Sequence, residues 1–168
     1  MESFSQIVEI YGRVVRIIVY GVSAIAGVAL IVTVITVFVD VIGRYFGEGI
    51  KGSIDIVRLT SIVAMGGAIP YTTAVKGHIA VEFLFRRLNK PLRIVLDTII
   101  RLLMLALFLC IVYFMSKHGI ALYKSGEVTP TAQIPIFWVP FWMALCFGIT
   151  ALVKVYHIFR PGKELIKP

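Results

Sequence analysis

The chain has 168 residues, of which 59% are hydrophobic and only 15% charged, and its mean hydropathy is +0.94; water-soluble domains run at roughly 45–50% apolar and about 25% charged. This excess excludes an ordinary soluble domain, and at ~20 residues per span the length suits about four membrane helices with short connections, leaving no room for a large extramembrane catalytic domain. In such a chain the net charge of +8 is read as a record of membrane topology rather than as a nucleic-acid surface.

The N-terminal segment carries Glu2 and Glu9 ahead of an apolar run too long for the core of a secretory signal and lacking a flanked small-residue cleavage site, so the first helix is expected to stay in the protein. Ile17 to Val39 is an uncharged run of 23 residues, enough to cross a ~30 Å hydrocarbon core with some tilt. After it come Asp40, Arg44, Glu48, Lys51, Asp55 and Arg58, alternating in sign. Their i, i+3 and i, i+4 spacings fit helix-end charge pairing in a solvated zone; the same density of polar groups also fits a recognition surface for an external protein.

The second span lies at about 56–75, containing Gly66, Gly67 and Pro70, which allow it to bend. Beyond it, Val81, Leu84, Phe85 and Leu88 fall at i, i+3, i+4 and i+7, with Glu82, Arg86, Arg87 and Lys90 on the other side. This is the pattern of a short amphipathic helix at about 79–90 lying in the membrane interface. The third apolar run, Leu102 to Ser116, has only 15 residues, so its helix is expected over about 92–116, starting near Pro91 and carrying Arg93, Asp97 and Arg101 into the interfacial zone. The fourth span is expected over about 134–156, with Pro130 and Pro135 in an extended approach. Trp138 and Trp142, one turn apart, read as an interfacial aromatic anchor.

Small residues one turn apart mark faces where helices approach closely in lipid, and Ser23 with Gly27, Ala64 with Ala68 beside Gly67, and Ala144 with Gly148 supply such pairs on spans one, two and four. The third span is bulky throughout and is expected to expose more surface. Cys110 and Cys146 lie deep in apolar runs without a CxxC pattern, so they read as small apolar side chains.

Orientation follows from the basic residues. The N-terminal segment, the middle connection and the C-terminal tail hold 12 Lys and Arg, whereas the first and third connections hold 5, which places both termini and the middle connection in the cytoplasm. The span centres contain no charge, as an ion carrier or proton relay would need. No phosphate loop, HExxH, GxSxG or Ser/His/Asp grouping occurs, so no catalytic residue, metal or cofactor is assigned. His78 and His157 share the cytoplasmic side, which keeps open a second reading: an enzyme's membrane anchor, for example a haem-bearing subunit of a redox complex. A small oligomeric transporter or channel is a third.

Several motifs in order resemble the small membrane subunit of tripartite ATP-independent periplasmic (TRAP) transporters, the DctQ-type family. These are Asp40-Val-Ile-Gly-Arg44-Tyr45 after the first span, Gly52-Ser-Ile-Asp55 with Arg58 entering the second, and Gly77-His78-Ile79-Ala-Val-Glu82 at its end. Thr129-Pro130 and Ile134-Pro135 with Trp138, before the fourth span, complete the set. Asp55 stands where a glutamate is usual in the family. The resemblance implies an all-α integral membrane protein, one domain over 1–168 in the inner membrane, without catalysis of its own. Its implied partners are a large membrane subunit, which carries the substrate and sodium sites and moves in an elevator-like cycle, a periplasmic substrate-binding protein and membrane lipids. It makes Arg44, Tyr45, Asp55 and Arg58 candidates for the periplasmic partner surface. His78, Glu82, Arg86 and Arg87, together with Trp138 and Trp142, become candidates for contact with lipid or the large subunit.

Overall fold

The computed structural model describes residues 2–75 and 90–159. They form four helices, α1 (Glu2–Tyr45), α2 (Ser53–Ala74), α3 (Lys90–Ser125) and α4 (Trp138–Phe159), each long and apolar enough to cross a membrane. The β structure among the described residues is one isolated bridge, Val128 to Pro135. The interfacial helix expected at about 79–90 lies almost wholly outside the described residues.

The helix ends differ from the expected spans for local reasons. Nothing in Glu2–Arg16 breaks a helix, so α1 starts well before the apolar run and stops only where Gly47 turns left-handed at φ 89°. α3 starts at Lys90, with Pro91 in the first turn, where its missing N–H costs nothing. It continues past residue 116 to Ser125 and ends at Gly126, φ 66°. α4 begins at Trp138 rather than near residue 134 because Ile134 and Pro135 are committed to a tight loop.

α1, α2 and α4 pack on one another, most extensively α1 with α2 and α2 with α4, and α3 packs on α4. The core is built from Val15, Val19 and Val22 of α1, Ala74 of α2, and Cys146, Ile149, Val153 and Tyr156 of α4. On α1 the stripe continues through Ala26, Ala29, Thr33 and Thr36 to Asp40 in alternating steps of four and three, the spacing of a left-handed helix crossing. Most of the other described side chains of α1 and α3 face outward. At this seam Thr33 donates to Thr60 Oγ1 at 2.7 Å, and Thr60 donates onward to Ile56 O at 2.8 Å, tying α1 to α2 inside the apolar zone.

Close approach falls partly on other small residues than the expected pairs. Gly27 and Gly148 have nothing within 4 Å of where a Cβ would stand, and Ala68 is exposed, whereas Ala64 and Ala144 are buried. Tight contacts are made by Gly12 of α1 against Tyr156, by Gly119 of α3 against Phe141, and by two adjacent glycines of α2. A Cβ on Gly67 would stand 2.8 Å from Ala26 Cβ and 3.0 Å from Val22 O, and one on Gly66 would stand 2.8 Å from Met143 Sδ. Because neighbouring positions on a helix point about 100° apart, Gly67 admits α1 and Gly66 admits α4. α2 is thereby packed on two sides.

Trp142 turns inward beside Gly66. It packs against the core and its indole N–H donates to Val63 O at 3.2 Å. Trp142→Phe keeps most of the ring and removes that hydrogen bond, so a loss of about 1 kcal/mol is expected. Thermal unfolding in mild detergent should show it as a midpoint lower by roughly 2–4 °C.

Candidate functional site

The C-terminal end of α1, the N-terminal end of α2, and the α3–α4 loop meet at one end of the bundle, where the first connection and the third are both stapled by aspartates. Asp40, on the buried stripe of α1, accepts the Ile50 N–H through Oδ1 at 2.9 Å and Arg44 Nε through Oδ2 at 2.9 Å, with Arg44 Nη2 2.8 Å from the same oxygen. The Ser53 hydroxyl also donates to it. The connection between α1 and α2 therefore folds back over α1. Gly43 makes room for this, since the Glu48 carbonyl occupies the place of its Cβ, and the Glu48 N–H donates to Gly43 O at 2.8 Å.

Asp55, in the first turn of α2 and 3% exposed, reaches across to the loop between α3 and α4. Its Oδ2 accepts the N–H groups of Thr131 at 2.9 Å and Ala132 at 2.7 Å, and the Thr129 hydroxyl donates to the same carboxylate. A carboxylate is an acceptor only, so it matches three donors without leaving a buried group unpaired. Thr129, itself 4% exposed, holds the loop together from within: its N–H donates to Ile134 O at 2.9 Å and its Oγ1 accepts the Ile134 N–H at 3.0 Å. Gln133, φ 52°, closes this turn. Gly52, φ 85°, lies so close to the loop that a Cβ there would be 2.9 Å from Ala132 Cβ.

Of the residues expected on the partner surface, Arg44 is folded onto Asp40 yet keeps 60% of its side chain exposed, and Tyr45 is 86% exposed with its ring edge-on to Phe46. Arg58 is exposed and stands near enough to Asp55 to act on its charge, while lining a cavity between α2 and α3. Asp55 is turned inward, with its carboxylate bonded to the loop. Trp138 is half-buried at the start of α4. His78, Glu82, Arg86 and Arg87 lie outside the described residues. Among the described residues no three His, Cys, Asp or Glu side chains stand together as a metal site would require.

Residue spacing hid the roles of Asp40 and Thr129 as loop staples. The glycines at 43, 47 and 52 were the available signal, since each marks a place where backbone must pass close or turn left-handed.

The arrangement is a hydrogen-bonded polar end on apolar helices. Residues 33–163 match the family described as "Tripartite ATP-independent periplasmic transporters, DctQ component". The chain is also 26% identical over 127 residues, 75% of its length, to the ectoine TRAP transporter small permease protein TeaB of Halomonas elongata. That match spans 64% of the relative, a little under two thirds. No solved structure matches. With four membrane-crossing helices and a family match over most of its length, the chain belongs to the DctQ component family of TRAP transporters and is a multi-pass inner-membrane protein.

Proposed function

We propose that this chain is the non-catalytic small membrane subunit of a sodium-driven TRAP transporter importing a small organic acid, where it supports the large membrane subunit and helps to dock the periplasmic substrate-binding protein. It forms one membrane domain with both termini in the cytoplasm, as the distribution of 12 basic residues against 5 favours. The stapled end then faces the periplasm and presents Arg44 and Tyr45 to the partner, with Asp55 fixing their support and Arg58 at the edge of this surface, where it borders the cavity between α2 and α3. At the opposite face His78, Glu82, Arg86 and Arg87 hold the interfacial helix to headgroups or to the large subunit.

The observation that carries this reading is the Asp55 staple. Its two backbone hydrogen bonds join residues 76 and 77 positions apart, making a fixed surface out of two connections that would otherwise move independently. Exposed apolar side chains along α1, such as Ile17, Val28, Val34 and Phe38, offer the large subunit a smooth helical face. The test is to express the large subunit with and without this chain and to measure sodium-dependent uptake in the presence of the binding protein. Uptake should fall to background without the chain; undiminished uptake rejects the supporting role.

A further inference from the structure

α2 and α3 both pack on α4 but make no extended contact with one another. Between them, at the stapled end, is a cavity of about 340 Å³ floored by α4 and roofed by the α3–α4 loop. Its lining is mixed: Arg58 of α2, His118 of α3 and Glu127 of the loop stand among apolar side chains that include Ile62, Leu122 and Met143.

A lining that joins a few charged groups to many apolar ones suits a phospholipid, which carries a charged headgroup and apolar chains. The two charges select among headgroups. Arg58 makes no ion pair among the described residues: Asp55 already accepts from Thr131, Ala132 and Thr129. Its guanidinium donors are therefore available to a phosphate, which they match in a planar fork. Glu127 is exposed and likewise without an ion pair among the described residues, and it suits an ammonium while repelling an added negative charge. The volume lies at the small end of ligand pockets, about 300–1,000 Å³, so it takes a headgroup and the first part of one chain.

We propose that the cavity between α2 and α3 is a binding site for a zwitterionic phospholipid with a primary ammonium headgroup, its phosphate on Arg58 and its ammonium on Glu127. A lipid seated there fills the gap between helices that make no extended contact, and so joins α3 to α2.

The test uses the full chain purified in mild detergent, exchanged into mixtures of phosphatidylethanolamine and phosphatidylglycerol, with bound lipid read by native mass spectrometry. Phosphatidylethanolamine should be retained in preference to phosphatidylglycerol. Arg58→Gln should lower its retention by about tenfold, the scale of one lost charge-assisted contact. Glu127→Gln should remove the preference between the two lipids, and Ile62→Trp, which fills the cavity, should expel both.

Lys51→Gln removes a charge from the same end but away from the cavity and should change nothing. Should R58Q or I62W prove misfolded by gel filtration, E127Q and Arg58→Lys still report on headgroup choice, R58K weakening retention less than R58Q. Equal retention of the two lipids by the unmodified chain overturns the assignment, as does a K51Q effect as large as that of R58Q. Cross-linking of Ile62→Cys to the large subunit in the assembled complex also overturns it, by giving the gap to a protein helix.

Discussion

Asp55→Ala should release the loop between α3 and α4 and uncouple the two connections at the stapled end. Removing the carboxylate strands the N–H groups of Thr131 and Ala132 and the hydroxyl of Thr129 together. Unmet donors in a buried place are costlier than the bond itself is favourable. The expected outcome is an unfolding midpoint lower by about 5–10 °C in detergent, with sodium-dependent uptake by the assembled transporter falling to background. Asp55→Asn keeps one carbonyl acceptor and should lie between the two. Asp55→Glu is the informative comparison, because its extra methylene moves the carboxylate past the 2.7 and 2.9 Å contacts unless the loop shifts. Its midpoint should fall less than that of the Ala variant. If Asp55→Ala unfolded at the unmodified midpoint and transported normally, the staple would have no part in function.

The second large effect belongs to Gly67→Leu. The Cβ alone would meet Ala26 and, at 3.0 Å, the Val22 carbonyl, which is backbone and cannot rotate away. The larger side chain then forces α1 off α2 and breaks the Thr33–Thr60 hydrogen bond at the same seam. Overpacking of this kind costs about 1–3 kcal/mol and more where backbone must move, so the midpoint should drop by roughly 5 °C or more. Gly27→Ala and Gly148→Ala make the control. Nothing lies within 4 Å of either site, and Ala gains up to about 1 kcal/mol of helix propensity over Gly, so both should be neutral or slightly stabilising. A Gly67→Leu midpoint equal to that of Gly27→Ala would show that α1 and α2 do not pack there.

Spans are legible because long uncharged runs have no alternative to a helix in lipid, and all four appear as helices. Their ends were less so: α1 extends to Glu2 because polar residues can continue a helix beyond the membrane, which an apolar count does not register. The Asp40–Arg44 pair was readable as i, i+4 and is present. Asp55 was assigned to similar helix-end pairing, yet its partners are backbone N–H groups 76 and 77 residues away, and no local spacing encodes that. Small residues show a further limit. Gly27 and Gly67 look alike in a helical pattern, and only the neighbouring helix decides which of them is crowded. Trp142 likewise carries the signature of an interfacial ring, but Gly66 opposite makes room for it inside.

The packing of the helices bears on how the chain assembles. α1 and α2 are neighbours in sequence and in space, so they can pair as soon as both are in the bilayer. α3 has no such opportunity, since its packing partner is α4, which is synthesised after it. α4 also packs on α1 and α2, and the loop preceding it supplies the donors for Asp55. Assembly of these helices therefore waits on α4: until it arrives α3 has no extended helix contact among the described residues, and its arrival closes three helix contacts and the polar staple in one step.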